Sequence, residues 1–391
     1  MTRTQVGIVG AGPAGLTLGL LLQRSGIESV VLENRSRDYI EHRIRAGVVE
    51  HDIAALLVEA GAGERLQREG IVHHGISLQF ADERHRIPLS DLAGGRSIVI
   101  YGQTEIVKDL IRHRLGAGAP LLFEVDDVQV HDLESSRPRI TYRHEGSAQE
   151  LECDVVAGCD GFHGICRPTI PDGVLREFSR EYPFGWLGIL AAVPPSSEEL
   201  VYAHHNRGFA LLSLRSHELS RLYVQCRPDE DLGEWPDERI WEELQLRLGL
   251  DGWTLAEGPV LEKGVTGMRS YVAEPMQFGR LFLAGDAAHI VPPTGAKGLN
   301  LALHDVRILA EALAEWYETG LTALLDGYSE RCLRRVWRAE HFSWWMTSML
   351  HTSDVADPFD RKLQLSQLRY VTTSEAAARG LAENYVGLEA V

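Results

Sequence analysis

The chain has 391 residues, 44% hydrophobic and 24% charged, an ordinary globular balance that leaves room for roughly two or three domains with sizeable cores. Its 56 acidic residues against 39 Lys plus Arg give a formal charge of −17, which repels nucleic acid and anionic membranes, and no apolar run reaches the roughly 18 residues of a bilayer span. Five cysteines, Cys153, Cys159, Cys166, Cys226 and Cys332, form no C-x-x-C pair, and Met1-Thr2-Arg3-Thr4 leads into a strand rather than a secretory core, so a reducing cytoplasm is expected, with no disulfide framework.

The first predicted element is a strand over Val6–Val9, followed by Gly10-Ala11-Gly12-Pro13-Ala14-Gly15 and a helical pattern of Leu16, Leu18, Leu20, Leu21 and Leu22. In such a turn Gly10 permits the tight bend, Gly12 lets backbone amides approach a pyrophosphate, and Gly15 lets helix pack on strand. A second buried strand, Ser29–Leu32, ends in Glu33, where a carboxylate can take the ribose hydroxyls of an adenosine. A helix is expected from near Thr104 to Leu115, then strands at 128–133, 139–143 and 154–157, the last running into Gly158-Cys159-Asp160-Gly161.

From about Pro168 the texture changes, with prolines punctuating alternating segments such as Phe209–Leu214 and Leu222–Gln225; this predicts an antiparallel substrate-covering sheet, inserted before the chain returns at Leu281–Asp286. Beyond Gly298 the pattern is helical, clearest over 299–317 and 321–347, and Trp337, Trp344 and Trp345 mark a subunit interface, so a homodimer is expected. The fold class is therefore α/β: a Rossmann-like cofactor domain with an inserted antiparallel sheet and a helical C-terminal region, divided as 1–175, 176–280 and 281–391.

Gly285-Asp286 repeats the glycine turn far downstream. Asp286 suits a ribityl or ribose hydroxyl, and the amides of Gly298, Leu299 and Asn300 open a long helix whose positive end can stabilise the pyrimidine edge of a reduced flavin, which favours FAD over a nicotinamide bound alone. Neither His204-His205 nor His73-His74 has a carboxylate or thiolate at metal-ligand spacing, so no metal is expected, and Cys159 and Cys166 read as packed thiols. From the residues alone, Arg215 and Arg221 read as loop charges, Tyr202 and Tyr385 as half-buried aromatics, and His73 beside His74 as exposed loop residues.

With the N-terminal glycine turn, the motifs His42-Arg43-Ile44-Arg45-Ala46-Gly47-Val48, Tyr101-Gly102-Gln103-Thr104-Glu105, Gly158–Gly164, Tyr182–Gly188, Gly285–Asn300 and Asn384-Tyr385-Val386-Gly387 are spread along essentially the whole chain. On them the chain resembles the class A flavoprotein aromatic hydroxylases, which implies a cofactor domain of the glutathione-reductase type. The resemblance implies that Glu33 holds the adenosine ribose of FAD, that Arg43 and Arg45 contact the cofactor with Arg45 at the pyrophosphate, that Gln103 and Asp160 make further contacts, and that Asp286 takes the ribityl side. It implies a substrate pocket of Tyr202, Ser213, Arg215 and Tyr223, in which Arg215 clamps a benzoate carboxylate and the hydroxyls of Ser213 and Tyr223 satisfy the remaining lone pairs. Tyr202, Tyr385 and His73 are implied as a path that removes the proton of a ring hydroxyl. Pro293 and Thr294 would lie between ring and flavin, with the Pro293 carbonyl near the substrate hydroxyl, while Arg45 and Arg221 balance two flavin positions.

The activity so implied is hydroxylation of 4-hydroxybenzoate to 3,4-dihydroxybenzoate with O2 and NADH or NADPH, through a flavin hydroperoxide kept from water. NADPH-using relatives commonly carry Arg after the ribose-binding Glu; Asn34 stands here, near Arg35, Arg37 and Tyr39, which leaves NADH open as donor. Two alternatives stand beside this reading: a hydroxylase for another phenolic or aminobenzoic acid, and a non-catalytic FAD-binding sensor.

Overall fold

A computed structural model describes residues 2–42, 47–352 and 357–387. Its cofactor half is built on a six-stranded sheet in the order Gln277–Phe278, Leu281–Leu283, Val155–Gly158, Val6–Val9, Ser29–Leu32, Leu121–Leu122. All neighbours are parallel except the edge pair Gln277–Phe278 with Leu281–Leu283. Val6–Val9 and Val155–Gly158 are buried along their whole length, as central strands covered on both faces must be, and so read as continuous apolar runs. Helices Pro13–Arg24 and Gly298–Thr319 pack against one another, each starting beside the carboxyl ends of these strands.

Four strands form a side sheet, Thr2–Arg3, Ser147–Glu152, Arg139–His144 and Asp126–His131. Ser147–Glu152 was not among the expected strands because most of it is exposed and polar, leaving little apolar alternation to detect. A small third sheet joins Val48–Glu50, Ile98–Ile100 and Ile71–His73.

The large sheet has eight strands: His289–Ile290, Val260–Glu274, Arg176–Ala191, Ser220–Cys226, Ala210–Leu214, Val201–Ala203, Ile76–Phe80 and Glu83–Ile87. Pairing is antiparallel except between Val201–Ala203 and Ile76–Phe80. Ile76–Ile87 and His289–Ile290 thus add strands from chain segments outside 176–280. The register of the two longest strands breaks between Glu181 and Gly185, around Pro183, which has no amide to give the ladder.

The helical stretch expected over 321–347 divides at Gly327 into Ala323–Asp326 and Tyr328–Leu350. Tyr328–Leu350 enters both hydrophobic cores: Val336 and Ala339 belong to the cofactor core, while Phe342, Met346 and Met349 belong to the core beneath the large sheet. Helices Pro358–Thr373 and Glu375–Val386 follow, started by the Asp357 and Ser374 side chains, which accept from the amides of Phe359 and Ala377. Among the described residues no helix is long and apolar enough to cross a membrane.

Candidate functional site

The three glycines of the first turn do different work. A Cβ at Gly10, whose φ is +103°, would overlap the Cys159 carbonyl, and one at Gly15 would overlap the Gly10 carbonyl, whereas one at Gly12 would meet nothing within 4 Å. Two glycines therefore close the turn, and the third leaves the N-terminus of Pro13–Arg24 open to a pyrophosphate. Glu33 is buried at the end of its strand and accepts from the amides of Ala11 at 2.7 Å and Arg35 at 2.8 Å; each carboxylate oxygen keeps a lone-pair site for a ribose hydroxyl.

Asp160 holds the following loop, its Oδ2 accepting from the Cys166 amide at 2.8 Å. Burial pushes its carboxyl upward, against the backbone hydrogen bond from Cys166, and the buried Oδ1 has no hydrogen-bond partner among the described residues. An orphaned acceptor at the end of a central strand, beside an uncovered helix N-terminus, is what a bound FAD would complete. Asp286 is exposed in the second glycine turn, where Gly285 has φ +62°.

Behind that second turn lies a pair that sequence reasoning missed. Asp305, buried on helix Gly298–Thr319, accepts from the Gly285 amide at 3.0 Å and sits 2.6 Å from Nε2 of buried His289. Burial opposes a charge on His289, but Asp305 outweighs it and raises the imidazole's pKa. The signal available was a histidine three residues beyond Asp286 and an acid on the helix's apolar face.

Asn300 turns its side chain to the protein: Oδ1 accepts from the Glu50 amide at 2.9 Å and Nδ2 donates to the Val48 and Ala296 carbonyls at 3.0 and 2.9 Å. This ties the start of the long helix to strand Val48–Glu50, while the first-turn amides of Gly298, Leu299 and Asn300 have no acceptor within the helix itself. Beside them Lys297 Nζ donates to Glu50 at 2.6 Å and to the Tyr385 carbonyl at 2.9 Å, and Arg335 reaches the other Glu50 oxygen at 2.5 Å. The C-terminal turn closes over this cluster at Gly387, φ +80°, where a Cβ would overlap the Glu50 carboxylate. None of Glu50, Lys297 or Arg335 was anticipated.

The register of the large sheet brings together the residues expected at the substrate. Tyr202 lies opposite Leu211, Leu211 opposite Tyr223, Ser213 opposite Arg221, and Tyr223 opposite Gly188. Directly opposed residues share a face and side chains alternate along each strand, so Tyr202, Ser213, Arg221 and Tyr223 project to one side, with Arg215 following in phase just past the strand end. Gly188 makes room here, since its Cβ would sit 2.8 Å from Nη2 of Arg221. Burial lowers the pKa of Arg215, with Tyr223 acting the other way, and Arg221 donates to the Tyr223 hydroxyl at 3.3 Å.

Tyr202 and Tyr385 are both fully buried with their hydroxyls 2.5 Å apart, and burial raises both phenol pKa values. His73 is fully buried rather than an exposed loop residue, has no partner on either ring nitrogen among the described residues, and is pushed down to about 4 by burial. Thr294 is buried, its hydroxyl 2.8 Å from that of Thr347, and the Pro293 carbonyl accepts from the Ala296 amide at 2.9 Å while Pro293 itself is exposed. Gln103 is half-buried at the start of helix Gln103–Gly116. Asn34, Arg35, Arg37 and Tyr39 are all exposed; Arg35 lies over the Tyr39 ring and Arg37 pairs with Glu41. Arg43 and Arg45 lie outside the described residues.

The family model described as "FAD binding domain" matches residues 3–343. The chain is 48% identical to a p-hydroxybenzoate hydroxylase of Acinetobacter baylyi over 99% of its own length and 96% of that protein's. It is also 28% identical to a 3-(3-hydroxy-phenyl)propionate/3-hydroxycinnamic acid hydroxylase of Mycobacterium sp., over 84% of this chain and 57% of the other. Among solved structures, a p-nitrophenol 4-monooxygenase from Pseudomonas putida superposes with a TM-score of 0.86 at 21% identity, covering 100% of both chains, a likeness of fold.

Proposed function

The chain belongs to the FAD binding domain family, and from that premise we infer that it is an FAD-dependent monooxygenase converting 4-hydroxybenzoate, O2, reduced nicotinamide and a proton to 3,4-dihydroxybenzoate, water and oxidised nicotinamide. The observation that carries the substrate reading is the one-sided array on the large sheet: a cation, Arg215, just past a strand end, and a buried phenol pair, Tyr202 and Tyr385, bordering the same face. A ring bearing a carboxylate at one end and a hydroxyl at the other matches both.

FAD would be held by the Gly10–Gly15 turn, Glu33, Asp160, Asp286 and the first amides of the long helix, with Arg43, Arg45, Gln103 and Arg221 as further contacts; when bound it supplies the redox chemistry, taking hydride and activating oxygen. The protein's own residues handle charge and protons. Arg215 would take the carboxylate bidentately, with Ser213 and Tyr223 on the remaining lone pairs. Tyr202 would accept the proton of the ring hydroxyl while passing its own to Tyr385, and neutral His73 would receive it next; a phenolate ring is far more open to electrophilic oxygen than a phenol. Pro293 and Thr294 would shield the reacting edge from water, Thr294 being fixed by Thr347.

Asn34 stands where NADPH-using relatives commonly carry Arg, which supports NADH as donor. Five buried free cysteines suit a reducing cytoplasm. Trp337 and Trp344, each 40% exposed and two turns apart on one helix, suit a homodimer contact, with Trp345 half-buried beside them. Cofactor-binding, substrate and helical regions over 1–175, 176–280 and 281–391 remain the proposed organisation, with Ile76–Ile87 contributing strands to the second. The test is a product assay with 4-hydroxybenzoate and each nicotinamide: coupled 3,4-dihydroxybenzoate formation is expected, nicotinamide oxidation yielding only peroxide refutes the hydroxylase, and a strong NADPH preference refutes the donor assignment.

A further inference from the structure

Arg215 lies flat on Gly102. A Cβ built at Gly102 would stand 2.7 Å from Cζ, 2.8 Å from Nη1 and 3.0 Å from Nη2 of the guanidinium, the spacing of a point above the plane of the fork rather than at its edge. Gly102 has φ −56° and ψ 133°, which any L-residue adopts, so its backbone gives no reason for glycine. The reason is the guanidinium. Nor can Gly102 withdraw: from another side Gly47 is packed so closely that its own Cβ would come within 2.5 Å of the Gly102 Cα, and the Tyr101 amide donates to the Gly47 carbonyl at 2.8 Å. The Gly102 carbonyl also accepts from the Glu105 amide at 2.8 Å as helix Gln103–Gly116 begins.

We propose that Gly102 is a positioning residue for the substrate carboxylate: its bare Cα is the seat that sets the depth and tilt of the Arg215 fork, and thereby the preference of the pocket for a ring acid over its neutral isostere. The proposal rests on the reading of Arg215 as the carboxylate clamp. A bidentate pair needs both guanidinium nitrogens in the plane of the carboxylate. A methyl at Gly102 must lift or tilt the fork by a few tenths of an ångström or more, because the fork is the flexible party and the Gly47 backbone is not. One of the two charge-assisted hydrogen bonds then lengthens, which corresponds to roughly ten- to a hundred-fold weaker binding of the acid.

The experiment titrates FAD-loaded wild type, Gly102→Ala, Arg215→Ala and the double variant with 4-hydroxybenzoate and with 4-hydroxybenzamide, following flavin absorbance. Gly102→Ala should weaken the acid about tenfold or more and the amide less than about twofold, with FAD affinity unchanged, and should add nothing in the Arg215→Ala background. Equal weakening of acid and amide, additivity in the cycle, or full acid affinity in Gly102→Ala beside a loss in Arg215→Ala would each overturn the role of Gly102. If Arg215→Ala keeps the wild-type preference for acid over amide, the clamp reading itself fails. Arg215→Lys guards against misfolding of the alanine variant, since an ammonium has no plane to seat: Gly102→Ala should be silent in that background, and an equal loss there overturns the proposal.

Discussion

Replacing Glu50 by Gln should be among the most destabilising single changes away from the strand cores. Its carboxylate is 2% exposed and is shared by two cations, Lys297 at 2.6 Å and Arg335 at 2.5 Å, of which Lys297 is itself 5% exposed. Removing the anion leaves two positive groups facing one another with only an amide between them; breaking a buried pair by deleting one partner costs about 3–5 kcal/mol. Lys297→Met is the instructive contrast. It removes one cation, leaves Glu50 paired with Arg335, and puts an apolar chain of similar volume beside Phe342, whose ring Lys297 already approaches, so the cost should be about 1–2 kcal/mol, chiefly the lost bond to the Tyr385 carbonyl. Burial depresses the Lys297 pKa from its ordinary 10.5, with Glu50 opposing that depression. Without Glu50 the folded-state pKa of Lys297 falls further below 10.5, so the lysine's share of the Glu50→Gln penalty is present while Lys297 keeps its proton in the variant and shrinks as pH rises toward the already depressed folded pKa of the wild type. Urea unfolding of both variants at fixed FAD, at pH 7 and near the upper limit of tolerance, measures it. A Glu50→Gln cost no greater than that of Lys297→Met would refute the assignment of Glu50 as the shared anion.

Two further outcomes follow from burial and from the first turn. Gly12→Ala should fold with the apoprotein's melting temperature nearly unchanged but bind FAD about tenfold or more weakly, because its Cβ meets no protein atom and occupies the approach to the helix N-terminus; Gly10→Ala, at φ +103°, should destabilise the apoprotein itself by about 1–3 kcal/mol, and wild-type FAD affinity in Gly12→Ala would refute the division of roles. His73, with its folded pKa near 4 against 6.5 when unfolded, takes its proton first in the unfolded chain, so its contribution to stability falls as pH drops from 6.5 toward 4, by about 3 kcal/mol over the window; unfolding free energies of wild type and His73→Gln at pH 7 and 4.5 should therefore converge or cross on acidification, and parallel pH profiles would refute a buried neutral imidazole.

What was legible in the sequence was whatever is local. The Gly10–Gly15 turn, Glu33 and the return at Leu281–Asp286 announce themselves because strand, glycine and helix follow within a few residues. Contacts made across the chain left no such trace: Tyr202 and Tyr385 meet over 183 positions and Lys297 and Glu50 over 247. Tyr202 and Tyr385 were identified by resemblance, and Glu50 and Lys297 by nothing, because an acid at a strand end and a lysine before a helix are ordinary surface residues until both are buried together. His73 shows the converse error: beside His74 it reads as loop, yet strand pairing with Ile98 turns one neighbour inward and the other out. The polarity of Ser147–Glu152 hid a strand for the same reason, since a strand exposed along most of its length carries no hydrophobic period.

Helix Tyr328–Leu350 runs through both cores, and this fixes what can be exchanged between proteins of this architecture. A graft of 176–280 alone into another flavoprotein would arrive without Phe342, Met346 and Met349, which fill the underside of the sheet from a different stretch of chain, and without Thr347, whose hydroxyl lies 2.8 Å from that of Thr294. The transplantable unit is discontinuous: the sheet, Ile76–Ile87, the second half of this helix, and helices Pro358–Thr373 and Glu375–Val386, whose Leu368, Val371, Leu381 and Tyr385 lie in the same core. New ring specificities should therefore arise more readily by substitution within the existing sheet than by recombination at its sequence boundaries.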